Sequence, residues 1–246
     1  MFKSLVYQII KYYCRFLVHF FFAKVEIIGR ENIPKNLPVI YSSNHQNAFM
    51  DALIIGGLSP KITYSVTRSD VFKTQLQWFL DALKMIPIYR IRDGFSQLAK
   101  NEETFRKINS SLFRGHALTI FSEGNHGNEF FLRNLSKGSS RMALEAQEKM
   151  DHLDLQVIPV GLNYFHHQRP FNKISIVFGQ PISVKNFLPI YIKQKAKGIN
   201  QMREIIDQGM RNCLLIPADG PNYQEQRNFI NRQNESQSFQ QLRQGI

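Results

Sequence analysis

Acidic residues are in short supply in this 246-residue chain: 19 Asp and Glu stand against 31 Lys and Arg, a formal charge of +12. That deficit excludes an acidic solvating polypeptide and calls for an anionic partner, whether a membrane surface, a phosphorylated small molecule or nucleic acid. Cysteine is scarcer still. Cys14 and Cys213 stand far apart, which excludes a disulfide framework and a cysteine-rich metal site and fits a reducing, cytoplasm-facing location. His126, His166 and His167 lack ligand spacing, so no metal is expected. No zinc-finger, helix-turn-helix or aromatic RNA-binding signature accompanies the charge, which argues against nucleic acid. The apolar stretch at the start is interrupted by Lys11 and Arg15, whereas a spanning helix needs about 20 predominantly apolar residues. No small-residue cleavage site follows it, so it does not read as a removed signal peptide.

What the chain holds in quantity is apolar bulk: 43% hydrophobic residues and 20 Phe, a globular composition with enough material for a substantial core. On a helical wheel of residues 1–23, Lys3, Ser4, Gln8, Lys11, Arg15 and His19 share one face. Phe2, Val6, Ile9, Phe16, Leu17 and Phe20 fill an arc from about 160° to about 260°, at 100° per residue. The pattern suits a helix lying in a membrane interface, basic face to anionic headgroups, better than one packed on a core.

Strands are expected at 24–29, 38–43, 62–66, 85–89, 117–121, 155–162 and 174–178, and helices from Asp51 and over 71–83, 95–113, 139–149 and 199–213. The alternation predicts an α/β fold, a largely parallel central sheet flanked by helices. Three units result: an amphipathic membrane-interface helix over 1–23, one α/β domain over 24–220, and a polar tail over 221–246. Eleven of the tail's 26 residues are Gln or Asn, which predicts a disordered or loosely docked segment.

Four short blocks lie at or beyond the ends of expected strands: Asn44-His45…Asp51, Ile86-Pro87-Ile88-Tyr89-Arg90, Phe121-Ser122-Glu123-Gly124-Asn125 and Val157-Ile158-Pro159-Val160. In open α/β sheets ligands collect beyond the carboxyl ends of the strands, so these turns are expected to converge. A His and an Asp on one strand-to-helix turn can meet. The carboxylate then fixes the imidazole tautomer and raises its basicity, equipping it to take a proton from an alcohol. Singly, each block has a blander reading: solvated arginines at a strand end, or Glu123 and Gly124 as turn residues.

In this order and spacing the blocks resemble the glycerophospholipid acyltransferase family, which includes lysophosphatidic acid and glycerol-3-phosphate acyltransferases, over about residues 20–190. The resemblance implies His45 as general base and Asp51 as its orienting partner. Five residues separate them here and four in the family, so a bulge must absorb the extra one. Arg90 matches the family's contact to the acceptor phosphate, with Arg92 and Arg133 as further candidates. Glu123 and Gly124 match the third block and would shape the acceptor end, although Ser122, Asn125 and His126 replace the family's Pro, Thr and Arg. Pro159 matches the fourth block, as a shaping residue beside the acyl group. The implied reaction moves a fatty acyl group from acyl-CoA or acyl-carrier protein to a hydroxyl of lysophosphatidic acid or glycerol 3-phosphate, in phospholipid biosynthesis. It needs no metal or redox cofactor. The altered third block keeps open a non-phosphorylated acceptor, such as an acyl-amino acid lipid. The implied partners are membrane lipids and the acyl donor, and the implied location is the cytoplasmic face of a membrane, held monotopically. The rival from another class is a non-catalytic basic protein that binds acidic membranes or nucleic acid.

Overall fold

Side chains alternate across a strand, and along Val39–Ser43 that alternation serves two cores. Ile40 joins Leu118, Val157, Met202 and Met210 on one face. Val39 and Tyr41 join Val18, Ile54, Ile55 and Leu162 on the other. A strand buried on both faces belongs inside a parallel sheet covered by helices on each side. The computed structural model, which describes residues 2–72, 75, 77–89, 100–167, 169–233 and 237–246, has that architecture.

The chain opens with helix α1 (Phe2–Phe21) and strand β1 (Lys24–Ile28). There follow β2 (Val39–Ser43), α2 (Ala48–Leu58), β3 (Thr63–Arg68), α3 (Gln77–Ala82) and β4 (Met85–Ile88). Next come α4 (Asn101–Phe113), β5 (Ala117–Phe121), α5 (Gly138–Glu148) and β6 (Gln156–Tyr164). The remainder is β7 (Lys173–Phe178), β8 (Ile182–Ser183), α6 (Leu188–Lys193), α7 (Lys195–Asn212), α8 (Tyr223–Arg232) and α9 (Phe239–Gly245). The sheet runs β1-β7-β6-β2-β5-β3-β4, with β8 paired to β6. From β6 to β4 every neighbour is parallel. β7 meets β6 antiparallel and is parallel to β1. Helices α4, α5 and α7 cover one face through Ile108, Leu112, Met142, Leu144, Met202 and Ile206; α1 and α2 cover the other. The mostly parallel α/β sandwich expected from the pattern is present.

α1 meets the domain with a face the wheel did not favour. Tyr7, Cys14 and Val18 are buried, and between them Lys11 sends its Nζ to donate to Lys61 O at 2.9 Å. Burial, and then the charges of Arg30 and Arg15, lower the Lys11 pKa. Lys11 is thus turned to the protein and not to headgroups. The reason is width: residues 7, 11, 14 and 18 form one narrow stripe that fits against α2, where Gly57 leaves room (a Cβ there would lie 3.2 Å from Arg15 N). The wider arc of Ile9, Tyr12, Tyr13, Phe16 and Phe20 finds no such partner and is exposed. Among the described residues, no helix is long and apolar enough to cross a membrane.

The segment after Pro221, expected to be disordered or loosely docked, is docked as α8 and α9 against the domain. Ile230, Phe239 and Leu242 are buried with Phe165, Leu215 and Ile216. Arg227 lays its guanidinium 3.3 Å from the centre of the Phe130 ring and donates to Phe165 O. The Phe239 N–H donates to Glu26 of β1 at 3.1 Å. Average composition hides this, because a few apolar residues at helical spacing suffice to dock a Gln-rich helix.

Candidate active site

β2 and β5 are adjacent and parallel, Ser43 lying opposite Phe121, so the turns that leave them are neighbours. The Ser122 N–H donates to Ser43 O (3.2 Å) and the Gly127 N–H to His45 O (3.0 Å). On the other flank Asn44 stitches the end of β2 to β6: its Nδ2 donates to Leu162 O (2.9 Å) and its Oδ1 accepts the Leu162 N–H (2.8 Å). The backbone at His45 is therefore fixed from both sides.

On that platform His45 Nδ1–H donates to Asp51 Oδ2 at 2.8 Å. The same oxygen accepts the backbone N–H groups of Gln46 (2.9 Å) and Asn47 (2.8 Å). Oδ1 accepts the Tyr164 hydroxyl at 2.5 Å. Asp51 is fully buried, and the His45 side chain is 17% exposed. A carboxylate gripped by four donors cannot swing, and it holds the hydrogen on Nδ1, which leaves the Nε2 lone pair free to take a proton. The imidazole also stacks on Phe121, ring centres 4.0 Å apart and planes at 11°. The extra residue between His45 and Asp51 is accommodated at the helix start. Ala48 takes a positive φ of 42°, and Asp51 still falls in the first turn of α2. Burial, and then the neighbouring Asp51 charge, push the Tyr164 pKa well above its ordinary value, so its hydroxyl serves only as donor here.

Glu123 reaches the same turn from β5. Its Oε2 accepts the His45 N–H (3.2 Å) and the Arg133 Nη2 (2.7 Å), and its Oε1 accepts the Arg133 N–H (3.1 Å). Arg133 also donates to Asn125 O. Its charge is thus balanced by Glu123. Gly124 follows with φ +80°, a left-handed position where a side chain would be strained whatever the space. His126 stands over His45 edge-on at 5.8 Å. Glu123→Gln is expected to lower stability by about 1–2 kcal/mol, below the roughly 3–5 kcal/mol of a fully buried broken pair, because Arg133 can turn partly to water. Thermal melts alongside acyl-transfer assays check this; an unchanged melting temperature would show that the pair does not hold the turn.

Pro159 is not brought into this cluster. It lies inside β6 opposite Ser42 and faces Gly209 of α7, where a Cβ would come within 2.6 Å of the proline ring. Arg90 and Arg92 lie outside the described residues. Just before them, Asn101 clamps the Tyr89 peptide by accepting its N–H (3.0 Å) and donating to its carbonyl (2.8 Å).

Three members of the site escaped the sequence reading: Tyr164, Asn44 as the β2–β6 stitch, and His167. Asn47 Nδ2 donates to His167 O (2.6 Å), and His167 Nε2–H donates to Gln46 Oε1 (3.3 Å). Burial, and then the Arg227 charge, push the His167 pKa down to about 4, which keeps it neutral at physiological pH. The available signal was a tyrosine at the end of a largely apolar strand, with two histidines just beyond it.

Residues 24–163 match the family model described as Acyltransferase. The chain belongs to the acyltransferase family. Among curated relatives, it is 24% identical over 118 residues to glycerol-3-phosphate O-acyltransferase 1 of Saccharomyces cerevisiae, covering 47% of this chain and 16% of that protein. It is 28% identical over 142 residues to a 1-acyl-sn-glycerol-3-phosphate acyltransferase of Chlamydomonas reinhardtii, covering 57% of this chain and 39% of that protein. The matched stretches thus span well under half of these relatives. The crystal structure of the 1-acyl-sn-glycerophosphate (LPA) acyltransferase of Thermotoga maritima superposes with a TM-score of 0.62 at 19% identity, over 85% of this chain and 80% of that one. That likeness establishes that this member of the family has the same fold.

Proposed function

We propose that this acyltransferase moves a fatty acyl group from an acyl thioester, CoA or carrier protein, to a hydroxyl of a glycerol phosphate lipid precursor at a membrane surface. The observation that carries the reading is the His45–Asp51 contact at the carboxyl end of β2, within the family match. His45 Nε2 takes the acceptor hydroxyl proton as the oxygen attacks the thioester carbon. The carbon–sulfur bond then breaks, and the thiolate leaves with the proton returned by the imidazolium. Asp51 offsets the charge on His45 during the step, and Tyr164 holds Asp51. Base catalysis supplies about 10²–10⁴-fold, so positioning and oxyanion stabilisation supply the remainder. The chemistry calls on no metal or redox group.

The exposed aromatic arc of α1 supports monotopic attachment, with the arc in the interface and basic residues at its flank. A cytoplasmic face accords with two free, buried cysteines. Within the same chemistry, a non-phosphorylated acceptor is favoured by one observation: Asn125 and His126 replace the family's Thr and Arg, while Arg133 is committed to Glu123.

Arg90 separates the two acceptors. A guanidinium on a phosphate forms charge-assisted hydrogen bonds of about 1.5–3 kcal/mol each, so Arg90→Gln is expected to cut kcat/KM for a phosphorylated acceptor by roughly 10- to 150-fold. KM for the acyl donor stays nearly constant. The assay uses purified protein, labelled acyl-CoA and acyl-carrier protein, and acceptors with and without phosphate, with products identified by mass. Equal losses on both acceptors, or none, would remove Arg90 from the headgroup site. No product with any donor and acceptor would remove the function.

A further inference from the structure

Phe171 presents an aromatic ring to solvent from a backbone conformation that bulky residues avoid. Its φ is +57°, in the left-handed region where an L-phenylalanine is an outlier, yet the residue is 63% exposed and gains no core burial. Its backbone N–H donates to Phe21 O at 2.7 Å, so Phe171 is pinned to the end of α1. Its ring meets Phe20, itself 63% exposed, edge-on at 6.3 Å. Phe171 therefore lengthens the uncovered aromatic arc of α1 with a residue from a distant part of the chain. Arg15 beside the arc and Arg169 two residues before Phe171 are exposed too.

We propose that Phe171 is a second membrane-inserting element, which with α1 seats the catalytic turn against an anionic lipid surface. The inference rests on the reading that the acceptor is presented by a membrane. The occupant follows from charge: a second copy would bring the same +12 and the same basic flanks, whereas an anionic bilayer attracts both arginines while their stems lie along the apolar surface. The consequence for catalysis follows from connectivity. The strand before Phe171 ends in Tyr164, which grips Asp51, and the His167 carbonyl accepts from Asn47 of the catalytic turn. One short segment touches both the proposed lipid surface and the turn that carries His45.

The test measures binding of the intact protein to vesicles of phosphatidylcholine with a minority of phosphatidylglycerol, together with acyl transfer to a vesicle-borne acceptor and to a short-chain, water-soluble one. Phe171→Ala and Phe171→Asn, the second chosen because Asn tolerates a positive φ, are expected to weaken vesicle binding about 5- to 20-fold. Transfer to the vesicle-borne acceptor falls in parallel, and transfer to the soluble acceptor is unchanged. Phe171→Trp retains binding, since an indole suits the interface. Unchanged vesicle binding in both variants, while Phe16→Ala weakens it, overturns the role of Phe171 and leaves α1 docking intact. An equal loss on the soluble acceptor overturns it as well, since Phe171 then acts on the fold. A wild-type dimer that Phe171→Ala dissociates without altering vesicle binding identifies a contact between copies instead. Lack of vesicle binding by the wild type, with soluble transfer retained, removes the membrane reading and leaves the acyltransferase chemistry standing.

Discussion

His45→Ala is expected to lower acyl transfer by about 10²–10⁴-fold, with the fold retained. The proton of the acceptor hydroxyl has nowhere comparable to go. His126 is a ring contact of His45, 5.8 Å away and edge-on, and among the described residues it has no carboxylate partner of the kind Asp51 provides. The structural cost is small by comparison. Asp51 retains the Gln46 and Asn47 N–H groups and the Tyr164 hydroxyl, so the loss of one hydrogen bond is worth about 1 kcal/mol. His45→Gln, closer in volume, guards against collapse of the turn. Circular dichroism and a thermal melt establish folding, and single-turnover transfer measures the chemical step. Near-normal transfer by a folded variant of either kind would sink the mechanism.

Asp51→Asn comes next in size, at about 10²- to 10³-fold in the chemical step, because the amide keeps the shape and loses the charge that offsets the imidazolium. The hydrogen-bond inventory sharpens the expectation. All four partners of Asp51 are donors, and an asparagine offers only one oxygen to them. Its amide must face either the backbone N–H groups or the Tyr164 hydroxyl, so stability falls by about 1–3 kcal/mol as well. Tyr164→Phe separates the two effects: the charge stays, one donor is lost, and the rate falls by only about 10-fold, since a positioning contact of about 1.4 kcal/mol is removed. Full activity in Asp51→Asn would mean that the contact with His45 is structural only.

Most of the sheet was legible because the strands carry apolar residues bounded by turn residues, and Val39, Ile40 and Tyr41 could be placed inside it without further information; the two-residue β8 (Ile182–Ser183) is too short to leave such a pattern. His45 and Asp51 were legible as a pair because both sit on one strand-to-helix turn. Their reach across five intervening residues was not, since it depends on Ala48 taking a positive φ, which alanine does not advertise. Tyr164 is 113 residues from Asp51 in sequence, and only the pairing of β6 with β2 brings them together. The tail misled because glutamine-rich composition averages away Ile230, Phe239 and Leu242, three residues that suffice to anchor it. On α1 the amphipathic pattern was plain, but which face meets the protein was decided by the narrow fit of Tyr7, Cys14 and Val18 on α2.

The contact between Phe239 and Glu26 spans 213 residues of chain, and its consequence concerns synthesis. At about 5–20 residues per second, Glu26 emerges from the ribosome roughly 10–40 s before Phe239 exists. For about the first two-thirds of that interval β1 lacks β7, its sheet neighbour, and with it Lys173, which ion-pairs with Glu26 at 2.8 Å. A chain halted before α9 would carry that ion pair without the Phe239 N–H that accompanies it. The pairing of β1 therefore waits for β7, synthesised well over a hundred residues later, and the contacts of Glu26 are complete only once α9 is made.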